Sequence, residues 1–88
     1  MTQPLTRTEA RQARDLAGQR LAFAHDGKRL AADQLARVVA DPNSTAAEIA
    51  EATEALSEAT ALYRQAHAAA DQARRDEVNV SARRGGQR

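Results

Sequence analysis

The sequence predicts an all-α protein, an antiparallel two-helix hairpin with a coiled-coil-like, alanine-rich seam, completed by self-association into a helical bundle or by a partner. Three observations predict it. Alanine supplies 22 of the 88 residues, and alanine has the highest intrinsic helix propensity. Alanines also recur every seven residues in two ladders, Ala10, Ala17, Ala24, Ala31 and Ala52, Ala59, Ala66, Ala73. Small residues at that spacing leave a smooth stripe on which a second helix can pack closely. Finally, the ladders match as an antiparallel pair. Ala10 with Ala73, Ala17 with Ala66, Ala24 with Ala59 and Ala31 with Ala52 all have position numbers summing to 83, which requires a turn near residues 41–43.

The elements follow in order. Residues 1–5 read as a flexible N-terminus, and residues 6–80 as the hairpin. Thr6 and Glu9 have the spacing of a capping box, which satisfies the orphan N–H groups of a helix start. The first helix then spans about 6–40. Gly18 and Gly27 are its weak points, and Asp26-Gly27 is a common turn pair. Leu16, Phe23 and Leu30 nevertheless stay in phase across residue 27, as do Ala17, Ala24 and Ala31, whereas a loop would reset that phase. One continuous helix is therefore predicted, with Gly27 costing about 1 kcal/mol relative to alanine. Asp41-Pro42-Asn43-Ser44 reads as the turn, because proline lacks an N–H and disfavours a helical residue before it. Thr45 and Glu48 form a second capping box, restarting a helix over about 45–78. Its core rows are Ile49, Leu56, Tyr63, Ala70 and the alanine ladder, widened by Ala55, Leu62 and Ala69. β-Branched Val78 and Val80 weaken the pattern, and residues 81–88 read as a disordered basic tail.

The composition bounds the function. Leu, Val, Ile, Met, Phe and Tyr together number only 15, yet on the first helix the apolar groups cover more circumference than one neighbour can bury. Leu16, Phe23 and Leu30 lie to one side of its alanine ladder, and Leu21, Leu35 and Val39 to the other. These six are the candidate partner-binding residues, for a second copy or a larger protein. No cysteine is present, which removes disulfides, thiolate metal sites and a Cys nucleophile. No apolar run approaches the ~20 residues of a membrane span. Met1–Thr8 lacks a basic-then-apolar signal pattern, so the expected location is cytoplasmic, or within a phage particle. Twelve Arg against one Lys, with the alanine excess, matches the bias of a high-GC bacterial or phage genome.

Charge is unevenly distributed. Residues 1–40 carry seven basic and four acidic groups, residues 41–80 three basic and eight acidic, and the tail adds three arginines. The constant-sum rule sets Arg7 opposite Asp76 and Arg29 opposite Glu54. It also gathers Arg7, Arg11, Arg14, Arg74, Arg75, Arg83, Arg84 and Arg88 at one end, a candidate contact for an anion or nucleic acid. Aromatic stacking platforms and recognised nucleic-acid motifs are absent from the sequence.

Reactive chemistry is sparse. His25 and His67 are the only imidazoles, and the register separates them by about nine residues, roughly 13 Å along the axis, too far to share a metal. His25 is placed near Glu58. Glu48, Glu51, Glu54 and Glu58 line up beside the core rows, without the Glu-x-x-His of di-iron bundles. Ser44, Ser57 and Ser81 have no His/Asp arrangement, and no glycine-rich phosphate loop occurs. The Trp-x-Gly turn of small secreted hairpins is also missing. The sequence thus assigns no catalytic, metal or cofactor-binding residue, no cofactor and no small-molecule substrate. The expected function is that of a non-catalytic assembly or adaptor protein acting through protein–protein contacts, such as a small phage or mobile-element structural component. The alternative is a small nucleic-acid-associated regulator using the arginine-rich end of a dimeric bundle.

Overall fold

The computed structural model describes residues 5–86, with side chains as far as residue 82. Two helices, α1 (Arg7–Ala40) and α2 (Ala46–Gly86), make up the described chain and pack along each other as a hairpin. Each start has a local cause. The Thr6 hydroxyl accepts from the Glu9 backbone N–H at 3.1 Å and donates to the Glu9 carboxylate at 2.8 Å. At α2 the box closes in both directions: Glu48 N–H donates to the Thr45 hydroxyl at 3.1 Å, and Thr45 N–H to the Glu48 carboxylate at 3.4 Å. Each cap satisfies N–H groups that a helix start otherwise leaves unpaired.

The turn is set by Asp41 and Pro42. Asp41 takes an extended conformation, φ −81° and ψ 116°, as the residue before a proline must. Its carboxylate accepts from Asn43 N–H at 2.9 Å and its carbonyl from Ser44 N–H at 3.1 Å. Helix α1 runs unbroken through Gly18 and Gly27. In α2, the Thr53 and Thr60 hydroxyls donate to the carbonyls of Ile49 and Leu56 at 2.7 and 2.8 Å. That back-bonding lets a hydroxyl sit on a helix without a lost hydrogen bond.

Helix α2 does not stop near residue 78. It continues to Gly86, so residues 81–86, read from sequence as disordered tail, are helical. The reason lies in the heptad: Val80 stands seven residues after Ala73 and is buried like it. Burial of an apolar group outweighs the few tenths of a kcal/mol by which valine is a poorer helix former. Residues 1–4 of the expected flexible N-terminus, and residues 87–88 of the expected tail, lie outside the described residues.

The buried set is small and ordered. Among the described residues, Ala10, Ala17, Ala52, Ala73 and Val80 are the buried apolar ones, and every one belongs to an alanine ladder or its extension. The second seam row, Leu21, Lys28 and Leu35 of α1 against Ile49, Leu56, Tyr63 and Ala70 of α2, is half-buried. Leu21 and Leu35 are thus half-buried at the edge of the seam, and Leu21 also lines an open groove on the other broad side with Gly18, Ala22 and Ala70. Both leucines follow the ladder residues Ala17 and Ala31 by four, which on a helix puts them on the same face. The molecule measures 69 × 23 × 14 Å, a single layer of two helices with both broad sides open. No described helix is long and apolar enough to cross a membrane.

Candidate interaction site

One broad side of the layer carries an apolar stripe. Leu16, Phe23 and Leu30 form a stripe along α1, at 47, 83 and 60 % exposure, and Leu62 of α2 faces the stripe at 60 %. Beside them lies a groove of about 460 Å³ lined by Ala17, Ala24, Ala59, Ala66, Ala69 and Gly27, with Phe23, Leu62, Arg20 and Gln65 also around it. The residues of two predicted ladder pairs, Ala17 and Ala66, and Ala24 and Ala59, thus line one groove. Small lining residues and large exposed neighbours arise from one cause. The alanine seam brings the helix axes close, and larger residues one step off the seam cannot enter it.

Of the six residues predicted to bind a partner, Leu16, Phe23 and Leu30 lie on this face. Val39 is exposed on the opposite flank of α1, and Leu21 and Leu35 are seam residues. Leu62, read from sequence only as widening the α2 core face, belongs to the site. Its signal was available, since 55, 62 and 69 border the ladder 52, 59, 66 as 16, 23 and 30 border 17, 24 and 31.

The charged end is organised differently from the constant-sum expectation. The Arg14 Nε lies 3.1 Å from a Glu77 carboxylate oxygen across the seam, and its guanidinium also reaches Asp15 at 3.0 Å. Arg74 pairs with Asp71, and Arg75 donates to Gln72 at 3.1 Å. Neither Arg7–Asp76 nor Arg29–Glu54 forms among the described residues; Asp76 accepts instead from Gln72 at 2.9 Å. Arg7 and Arg11 are exposed. The side chains of Arg83 and Arg84, and the whole of Arg88, lie outside the described residues.

Tyr63 gathers groups that the sequence kept apart. The His25 ring is 5.9 Å from it, the His67 ring 6.0 Å, and Lys28 Nζ lies 4.9 Å from its centroid. His25 thus meets Tyr63 in place of the expected Glu58. His67 Nδ1 is 3.3 Å from Asp71 and His25 Nδ1 3.8 Å from Asp26. Tyr63 and His67 are four apart on one helix and so share a face, but the arrival of His25 and Lys28 depends on the other helix. No cluster of three or more His, Cys, Asp or Glu side chains suited to a metal occurs among the described residues.

Comparison with models of known protein families, with curated proteins and with solved structures finds no match to this chain.

Proposed function

We propose that the protein is a non-catalytic assembly or adaptor protein that acts through protein–protein contacts on the apolar stripe of its hairpin, in the manner of a small phage or mobile-element structural component. The observation that carries this reading is the stripe Leu16, Phe23, Leu30 standing exposed beside a groove lined by alanine. Stable domains stack at least two layers of secondary structure around a core, and this chain has one layer with no large side chain fully buried among its described residues. Contiguous exposed apolar surface of this kind marks interaction sites. The arginine-rich end supports nucleic-acid binding less well, because Arg14 and Arg74 already have carboxylate partners.

Light scattering of the purified protein, alongside Phe23→Glu, tests the reading. The wild type forms an oligomer or retains a protein partner, and Phe23→Glu loses it at unchanged helix content. A strictly monomeric, well-folded wild type with no partner in pull-downs overturns it.

A further inference from the structure

We propose that the Leu16–Phe23–Leu30 stripe docks antiparallel on the same stripe of a second copy of this chain, about a two-fold axis at Phe23. The inference rests on the reading of this side as a docking face and names its occupant. The stripe is one helical row extended by seven-residue steps, Glu9, Leu16, Phe23, Leu30, Arg37, and all five side chains are exposed. Reversed against itself about Phe23, the row sets Leu16 on Leu30 of the other copy and Glu9 on Arg37. Its apolar middle is symmetric, and its two ends carry opposite charges. Such a row is self-complementary in the antiparallel sense that an isologous two-fold contact demands.

The competing pairings lack that match. The corresponding row of α2 reads Glu48, Ala55, Leu62, Ala69, Asp76, with acids at both ends, so α2 against its copy opposes like charges twice. Stripe against the α2 row, with Phe23 on Leu62, sets Arg37 on Glu48 but Glu9 on Asp76. A parallel α1 pair opposes Glu9 to Glu9 and Arg37 to Arg37. Antiparallel α1 on α1 is the one arrangement among these four with attraction at both ends, and charge complementarity selects orientation and register.

The chain has no cysteine, so single-cysteine variants at these exposed positions report the register directly with a short bismaleimide cross-linker. Phe23→Cys is expected to cross-link to itself. Leu16→Cys and Leu30→Cys each fail alone, since like positions lie about 21 Å apart in the antiparallel pair, but cross-link to each other when mixed. Arg37→Glu places two carboxylates opposite each other and weakens dimerisation about threefold or more at low salt, a difference that shrinks as salt is raised. Self-cross-linking of Leu16→Cys or Leu30→Cys overturns the register. So does a cross-link between Phe23→Cys and Leu62→Cys when the two variants are mixed, with none in Phe23→Cys alone. A wild type that stays monomeric at the highest concentrations reached by light scattering overturns the second copy as occupant. The docking-face reading then still stands or falls on whether Phe23→Glu abolishes retention of another protein.

Discussion

Arg14 and Glu77 meet across the seam at 3.1 Å, fourteen positions before and after the other interhelical contact of that row, Lys28 over Tyr63. Both contacts have position numbers summing to 91, where the register expected from the alanine ladders sums to 83. The difference is physical. Each side chain leans toward the N-terminus of its own helix, and in an antiparallel pair these directions are opposed. A long side chain on α1 and one on α2 therefore meet at a larger sum than two alanines do. Arg7 with Asp76 and Arg29 with Glu54 match only at the alanine offset, and neither pair forms among the described residues.

Glu77 is only partly exposed, and its partner holds it across the seam. Glu77→Gln is expected to lower hairpin stability by about 0.5–1 kcal/mol at low salt. A double-mutant cycle with Arg14→Gln, followed by thermal unfolding, measures the coupling. A coupling energy that does not fall with added salt contradicts the assignment.

Gly18 and Gly27 have open space where a Cβ would stand, and both sit in continuous helix. Gly18→Ala and Gly27→Ala are each expected to stabilise the protein by about 0.5–1 kcal/mol, because alanine loses less backbone entropy on forming the helix. The positions are nine residues apart and their effects should add in the double variant. A fall in the unfolding midpoint for Gly18→Ala contradicts the open geometry.

Ala10 is fully buried on the seam, where a larger side chain has no room without moving the helices apart. Ala10→Leu is expected to destabilise by about 1–3 kcal/mol, whereas Ala13→Leu, at an exposed position of the same helix, changes stability by less than about 0.5 kcal/mol. Denaturant titration of both variants separates seam crowding from a general effect of leucine.

The Thr45 and Glu48 box restarts the chain immediately after the turn. Thr45→Ala is expected to cost about 1 kcal/mol, and Thr45→Asp to retain most of the stability, since aspartate also caps. Hydrogen exchange of the first α2 amides is expected to rise in the alanine variant.

Much of this fold was legible from local signals. The caps at Thr6 and Thr45, the turn at Asp41-Pro42 and the phase carried across Gly27 each depend on residues within a few turns of one another. The exposed apolar stripe was also visible, because Leu16, Phe23 and Leu30 share one row. That Leu21 and Leu35 are half-buried beside α2 was not legible, since a wide apolar arc does not say which part of it a neighbour covers.

What the sequence by itself determined is the set of helices, where the chain reverses, and which alanines can approach, because propensity, capping and heptad period act along one chain segment. Only the tertiary structure decided how the second seam row meets. It brought Arg14 to Glu77, drew His25 and Lys28 to Tyr63, left Leu21 and Leu35 half-buried at the seam, and left Phe23 exposed with Leu62. It also carried α2 on to Gly86, past two valines that the local reading took for its end. These outcomes depend on the axial offset between two helices and the opposed lean of their side chains, neither of which has a value until both helices are in place.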